Sequence, residues 1–213
     1  MISLVRFKST YLILFISICF SISSCAQKST KIKVGAQQTE LYLNLLKEKN
    51  IAIVANQTSV VEKQKKRKEK REFIHLVDSL LSLKINITKV FSPEHGFRGK
   101  ADAGAHVEDG VDSKTGLPIL SLHGKSKKPS AEQLKGIDVI VFDIQDVGAR
   151  FYTYISTLHF VMEAAAENRI PVLVLDRPNP NGHYIDGPVL EMEHSSFVGK
   201  HPVPVVYGMT IGE

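Results

Sequence analysis

Short apolar runs alternate along the chain with stretches of helical spacing. Ile51–Ala55 is an unbroken apolar run that stops at Asn56. Such runs suit strands of a parallel sheet covered on both faces. Ile85–Phe91, rich in β-branched residues, reads as a second strand, and Ile137–Ile144 gives the clearest strand signal. Pro171–Leu175 and the shorter Ile119–Leu122 add two more. Between them, Leu41–Leu46 predicts a short helix. Phe73, Leu76, Leu80 and Leu83 fall on one helical face and predict a helix over Phe73–Leu83. Ser130, with Gln133 three residues on, marks a capped helix start. Phe151–Asn168 predicts the longest helix. This alternation implies an α/β fold, a mostly parallel sheet flanked by helices. There is no internal repeat.

The two ends follow other patterns. Arg6 and Lys8 precede an apolar run, Tyr11–Ile22, which gives way to Ser23, Ser24 and Cys25. This is the layout of a secretory signal peptide, and the run is shorter than the about 20 apolar residues of a spanning helix. Ile22-Ser23-Ser24-Cys25 resembles a bacterial lipobox, which implies lipidation of Cys25; the competing reading is an uncleaved N-terminal anchor. The expected organisation is a signal peptide over 1–24, a polar tether over 25–38 and a folded α/β domain over 39–213. Ala26 is not an acidic retention signal, so the expected location is the outer membrane, facing the periplasm. At the other end Thr210 and Glu213 form a capping-box pair, and the expectation is a domain cut short at a helix start.

Composition narrows the class. The 213 residues are 43% hydrophobic and 23% charged, an ordinary globular balance. Of two cysteines, Cys19 lies in the apolar run and Cys25 in the lipobox, which disfavours a cysteine nucleophile or Cys-ligated zinc. The net charge is +5; without residues 1–24 it is +3, from 25 basic and 22 acidic residues. Much of the excess sits in Lys63–Arg71. Nucleic-acid binding is one reading of such a run; export favours a solvated helix start or surface loop, so no nucleic-acid partner is expected.

In open α/β sheets ligands bind beyond the carboxyl ends of the strands, so the turns after the strands hold the candidate chemistry. Asn56 and Gln57 follow the first strand as crevice groups or turn formers. Ser92-Pro93-Glu94-His95-Gly96-Phe97-Arg98-Gly99 follows the second and opens a glycine-rich irregular segment, Ser92–Pro118. Glu94 suits a general acid in a buried setting. His95 sits beside it, and Arg98 suits a clamp for a substrate carboxylate; a Glu–Arg pair bracing the loop is the alternative. After Ile137–Ile144 come Gln145, Asp146, Arg150, Tyr152 and Tyr154, with Asp143 inside the strand. Tyrosines suit sugar faces and edges, or ordinary packing. Asp176, Arg177 and Asn179 follow the last strand on a turn stiffened by two prolines. Charged turns at the ends of three strands suggest one shared crevice.

Other chemistries find less support. There is no G-x-G-x-x-G, Walker A or G-x-S-x-G motif. His95, His106 and His123 with Asp102 or Asp109 match no tight ligand spacing, so no metal is expected. Asp143 and Asp146 miss the spacing of phosphotransferases that use a nucleophilic aspartate.

Val90–Gly99, Phe142–Tyr154 and Leu175–Pro180 together resemble the NamZ family of exo-β-N-acetylmuramidases, long carried as a domain of unknown function. The similarity runs from about Ile51 to Glu213. It implies a Rossmann-like N-terminal domain, truncated before a smaller C-terminal domain, with the cleft between the two. It implies release of N-acetylmuramic acid from non-reducing ends of peptidoglycan fragments during wall recycling, with no cofactor. It implies that Glu94 is catalytic. Arg98, Arg150 and Arg177 are candidate partners for the lactyl carboxylate of the sugar. Glycosidases commonly use two carboxylates, and Asp143, Asp146 and Asp176 compete for the second role, with a tyrosine as a further option. The basic run Lys63–Arg71 departs from the family pattern. The alternative to an enzyme is a wall-sugar-binding lipoprotein without turnover.

Overall fold

The computed structural model describes residues 32–63, 71–99, 108–124 and 126–213. The signal-peptide run, Cys25, most of the basic run, Asp102 and His106 lie outside the described residues. The compact unit spans Lys33–Glu213.

Part of the stretch expected to be tether is packed. Gly35–Gln37 form a 3-10 turn in which Ala36 is wholly buried, and the Gly35 amide donates to the Asp176 carbonyl at 2.8 Å. Helix α1 (Thr39–Leu46) follows and buries Tyr42 and Leu46. Then come β1 (Ile51–Ala55), β2 (Val60–Glu62), β3 (Phe73–His75), α2 (Leu76–Ser82), β4 (Ile87–Ser92), β5 (Gly110–Val111) and β6 (Pro118–Ser121). The last elements are α3 (Ala131–Leu134), β7 (Val139–Asp143), α4 (Tyr154–Glu167) and β8 (Val172–Val174).

The main sheet has six strands in the order β5-β6-β4-β1-β7-β8. All neighbours pair in parallel except β5, which runs antiparallel to β6 at the edge. Strand β1, every residue of it buried, lies between β4 and β7. Because side chains alternate across a strand, Ile51, Ile53 and Ala55 join a core with Leu46, Leu76 and Leu80. Ala52 and Val54 join the opposite core, with Phe142, Leu158 and Val161. Helices α1 and α2 thus cover one face, α4 the other. The expected α/β architecture is the one observed.

One element differs from its expectation. Phe73–His75 is not the first turn of a helix but a strand paired antiparallel with β2. The helix starts only at Leu76, because His75 is its N-cap: its Nδ1 accepts from the Val77 amide at 3.3 Å. Its Nε2 meets the Asn56 carbonyl at 2.9 Å. With Nδ1 accepting, Nε2 carries the proton, so burial holds this ring neutral and its pKa low. Phe73, 56% exposed, gains nothing from the apolar stripe its spacing suggested. The expected capping box of α3 is present in full, Ser130 with Gln133. Helix α4 begins at Tyr154 rather than Phe151. The reciprocal bonds expected of Thr210 and Glu213 are made, at 2.8 and 3.3 Å.

Candidate active site

The parallel strands end at one rim, and four turns meet there. The first is an Asx turn after β1. Asn56 Oδ1 accepts from the Thr58 amide at 2.9 Å and from Thr58 Oγ1 at 2.6 Å. The Thr58 amide is a pure donor, so it fixes which end of the side chain is oxygen. Asn56 Nδ2 is therefore the end that faces the Tyr154 hydroxyl, and this buried amide makes no well-formed hydrogen bond among the described residues. Gln57 is exposed and packs against Gly99, where an added Cβ would stand 2.9 Å from its side chain.

The second turn follows β4. Glu94 is half-buried and accepts a hydrogen bond from Thr153 Oγ1 at 2.8 Å. His95 beside it has φ +70° and Gly96 φ +79°. A left-handed histidine is uncommon and holds this loop in a sharp reversal. Arg98 points elsewhere. Its guanidinium donates to Asp112 at 2.8 and 2.7 Å and to Asp78 at 3.1 Å, and lies 4.7 Å over the Phe97 ring. That hydrogen-bonded cation outweighs burial and holds the Asp112 carboxyl well below the usual range. Arg98 does brace the loop, but through two aspartates on other elements rather than through Glu94.

The third turn follows β7, and it separates two aspartates. Asp143 is wholly buried and takes a bidentate pair from Arg177, Nε at 2.6 Å and an Nη at 3.0 Å. Arg177 also donates to the Val60 carbonyl at 3.0 Å, and Ser59 Oγ donates to the Asp143 carbonyl. Burial pushes the Asp143 carboxyl up while the guanidinium pulls it back. This pair lies beneath the rim and ties β7, β2 and the turn after β8 together.

Asp146 has a different environment. Its Oδ2 accepts from the Tyr207 hydroxyl and from the Gly148 amide at 2.8 Å. Its Oδ1 is buried without a hydrogen-bond partner among the described residues. Burial raises its pKa, and the Tyr207 and backbone donors oppose the shift. Tyr207 is itself buried, and its pKa is raised by burial and by this carboxylate, so it stays a phenol and a donor. Gly148, at φ +72°, lets the chain double back against Asn179; an added Cβ would stand 2.2 Å from that side chain.

Tyr154, at the start of α4, joins these groups. Burial pushes its hydroxyl up to about 12; the charges of Tyr152, Glu94 and Asp146 add to the shift, and the Asn56 side chain opposes it. The Tyr152 and Tyr154 rings meet edge-to-face with centroids 5.4 Å apart. Asn56, Glu94, Asp146, Tyr152 and Tyr154 are thus one neighbourhood, drawn from three turns.

The remaining candidates hold the frame. Gln145 Nε2 donates to the Asp146 and Pro178 carbonyls at 2.7 and 2.8 Å. Arg150 donates to the Pro188 and Val203 carbonyls at 2.8 and 2.6 Å, anchoring the C-terminal segment. Asp176 accepts from the Thr210 hydroxyl and the Gly212 amide. Asn179 Nδ2 donates to the Met209 carbonyl at 2.7 Å. All three arginines expected near a substrate carboxylate therefore have partners within the protein. Sequence reasoning missed Tyr207 and Thr153. Tyr207 stands 61 residues from Asp146 in no motif, whereas Thr153 sits between two tyrosines already singled out.

Two other features stand apart from the rim. A shallow hollow of about 420 Å³ lies at the opposite end of the sheet, lined by residues such as Glu132, Leu134, Lys135, Ile137, Asn168 and Ile170. Among the described residues Glu191, Glu193 and His194 are close enough to share a cation, but all are exposed on a 3-10 turn.

Residues 51–213 match the family described as "Exo-beta-N-acetylmuramidase NamZ, N-terminal". The chain belongs to this family. It is 59% identical over 130 residues to the "Peptidoglycan beta-N-acetylmuramidase NamZ" of Bacillus subtilis (strain 168), covering 61% of this chain and 31% of that protein. Two crystal structures of DUF1343 family proteins from Bacteroides fragilis NCTC 9343 are also similar. One shares 48% identity at a TM-score of 0.69, the other 42% at 0.73, and each match covers 84% of this chain and 44% of the other. The chain thus spans less than half the length of the relatives it matches.

Proposed function

We propose that the protein is a peptidoglycan glycosidase that releases N-acetylmuramic acid from the non-reducing ends of wall fragments, with Glu94 as the general acid. The observation that carries this reading is the gathering of Glu94, Asp146 and Tyr154 at the carboxyl rim. Family membership and the name of the Bacillus relative support it.

The chemistry follows from the environments. Cleavage needs a proton on the leaving oxygen and a negative group opposite the developing oxocarbenium charge. Glu94 is half-buried beside a hydroxyl donor, with a face toward solvent. Asp146 carries one buried oxygen without a partner among the described residues and is the second carboxylate of this reading, as nucleophile or as base. Asp143 is committed to Arg177. Tyr154 keeps its proton at neutral pH, so it donates a hydrogen bond to sugar rather than attacking it. Asn56 Nδ2 adds a second donor. The wall-recycling role, and an exported lipoprotein tethered through Cys25, belong to the same proposal. The recycling role rests on the family resemblance and the lipid tether on the sequence of residues 1–25; among the described residues no helix is long and apolar enough to cross a membrane.

The test is release of chromophore from an N-acetylmuramide by full-length protein. Glu94→Gln is expected to lower kcat about 10²–10⁴-fold with the melting temperature little changed. Muropeptides returned intact by the wild type would instead favour a binding lipoprotein.

A further inference from the structure

Away from the catalytic groups, a cluster of rings and cations covers the outer flank of α4. Phe160 on α4 stacks with Phe197 of the C-terminal segment, centroids 6.1 Å apart and planes 18° apart. Lys127 Nζ lies 4.1 Å from the Phe197 centroid, and Lys200 Nζ 4.8 Å from that of Phe160. His159 meets His201 edge-on at 5.1 Å, and His123 lies 6.4 Å from Phe197.

The charge balance of this flank is one-sided. Glu163 and Glu167, the acids of α4, are both tied to Lys128 at 3.3 and 2.7 Å. Among the described residues neither Lys127 nor Lys200 has a carboxylate partner. A ring face restrains an ammonium without neutralising it, so both charges are held in place while open to an anion. His123 Nδ1 is buried and has no hydrogen-bond partner among the described residues.

Position indicates what anion would come. His123 lies two residues beyond the carboxyl end of β6, so the cluster reaches the rim. Phe160 is six residues along α4 from Tyr154, about 9 Å at the helical rise. That offset exceeds the reach of one sugar ring. In a glycan whose alternate sugars carry a lactyl carboxylate, the next carboxylate beyond the cleaved sugar is one disaccharide away. We propose that Lys127 and Lys200, set on the Phe197–Phe160 stack, form a second subsite for the carboxylate of an acidic sugar further along the same glycan. The proposal rests on the muramidase reading and adds to it a preference for longer fragments.

The test compares a disaccharide, N-acetylmuramic acid linked to N-acetylglucosamine, with the trisaccharide that carries a second N-acetylmuramic acid. In full-length protein, Lys127→Gln with Lys200→Gln is expected to raise KM for the trisaccharide roughly tenfold, the size of one lost charged contact. The disaccharide KM and both kcat values should stay unchanged. An equal change for both sugars, or none for either, overturns the subsite. Absence of turnover of either sugar by the wild type would sink the muramidase reading alone. Binding would still be read from the imidazole proton resonances of His159 and His201. These should move on adding trisaccharide but not disaccharide, and a wild type in which they stay still overturns the proposal.

Discussion

Asp143 and Asp146 stand three residues apart at the end of one strand, both buried and both with burial raising the carboxyl pKa. They nevertheless have opposite characters. Asp143 faces a guanidinium fork that occupies both its oxygens. Asp146 faces a phenol and a backbone amide on one oxygen, with the other unpartnered. The first arrangement is closed and spends its charge on holding three chain segments together. The second leaves one buried acceptor unfilled. What separates them is not burial but the partner, a cation in one case and a neutral donor in the other.

The largest effect is expected where the closed pair is broken on one side. Arg177→Met leaves a buried carboxylate without its counter-charge, which costs about 3–5 kcal/mol. Urea unfolding should report a loss of that size. Adding Asp143→Leu should recover most of it, because two apolar groups replace a buried ion pair at little net cost. A single variant as stable as the wild type would mean that the pair contributes nothing, and the contrast with Asp146 would fall.

Asp146→Asn probes the open partner. The amide keeps the volume and can still accept from Tyr207, so stability should change by no more than about 1 kcal/mol. The muramidase reading predicts a kcat lowered at least about hundredfold for loss of the second carboxylate. The two variants thus invert each other, one damaging the fold and the other the chemistry. Wild-type turnover by Asp146→Asn would move the second role away from this residue.

Much of this frame is legible in the sequence, and the reason is local. Strands β1, β4, β7 and β8 announce themselves as apolar runs because both faces of the sheet are covered. The rim turns follow because charged and turn-forming residues begin where those runs stop. The β2–β3 hairpin was hidden because Phe73 and Leu76 mimic a helical stripe, while the deciding contact, His75 with Asn56, spans 19 residues. Side-chain partnership was the least legible part. Nothing near Arg98 names Asp78 and Asp112, and nothing near Asp146 names Tyr207. Spacing marked which polar residues reach the rim but not which of them are already spoken for.

The subtlest test of the contrast is Tyr207→Phe, which changes only the donor. In the wild type this hydroxyl favours the ionised form of Asp146 and opposes the rise caused by burial. Without it the folded-state pKa of Asp146 must move further up. For a carboxyl raised above its unfolded value, the stability it contributes is fully present below the unfolded pKa. It is lost as pH rises through the folded pKa. The variant should therefore be penalised by about 1–2 kcal/mol near neutral pH and less in acid, measured by urea unfolding across pH. If Asp146 must be ionised to act, the acidic limb of kcat against pH should shift upward in the same variant. A limb that stays in place while stability falls would leave Tyr207 a packing residue and make Asp146 as closed, chemically, as Asp143.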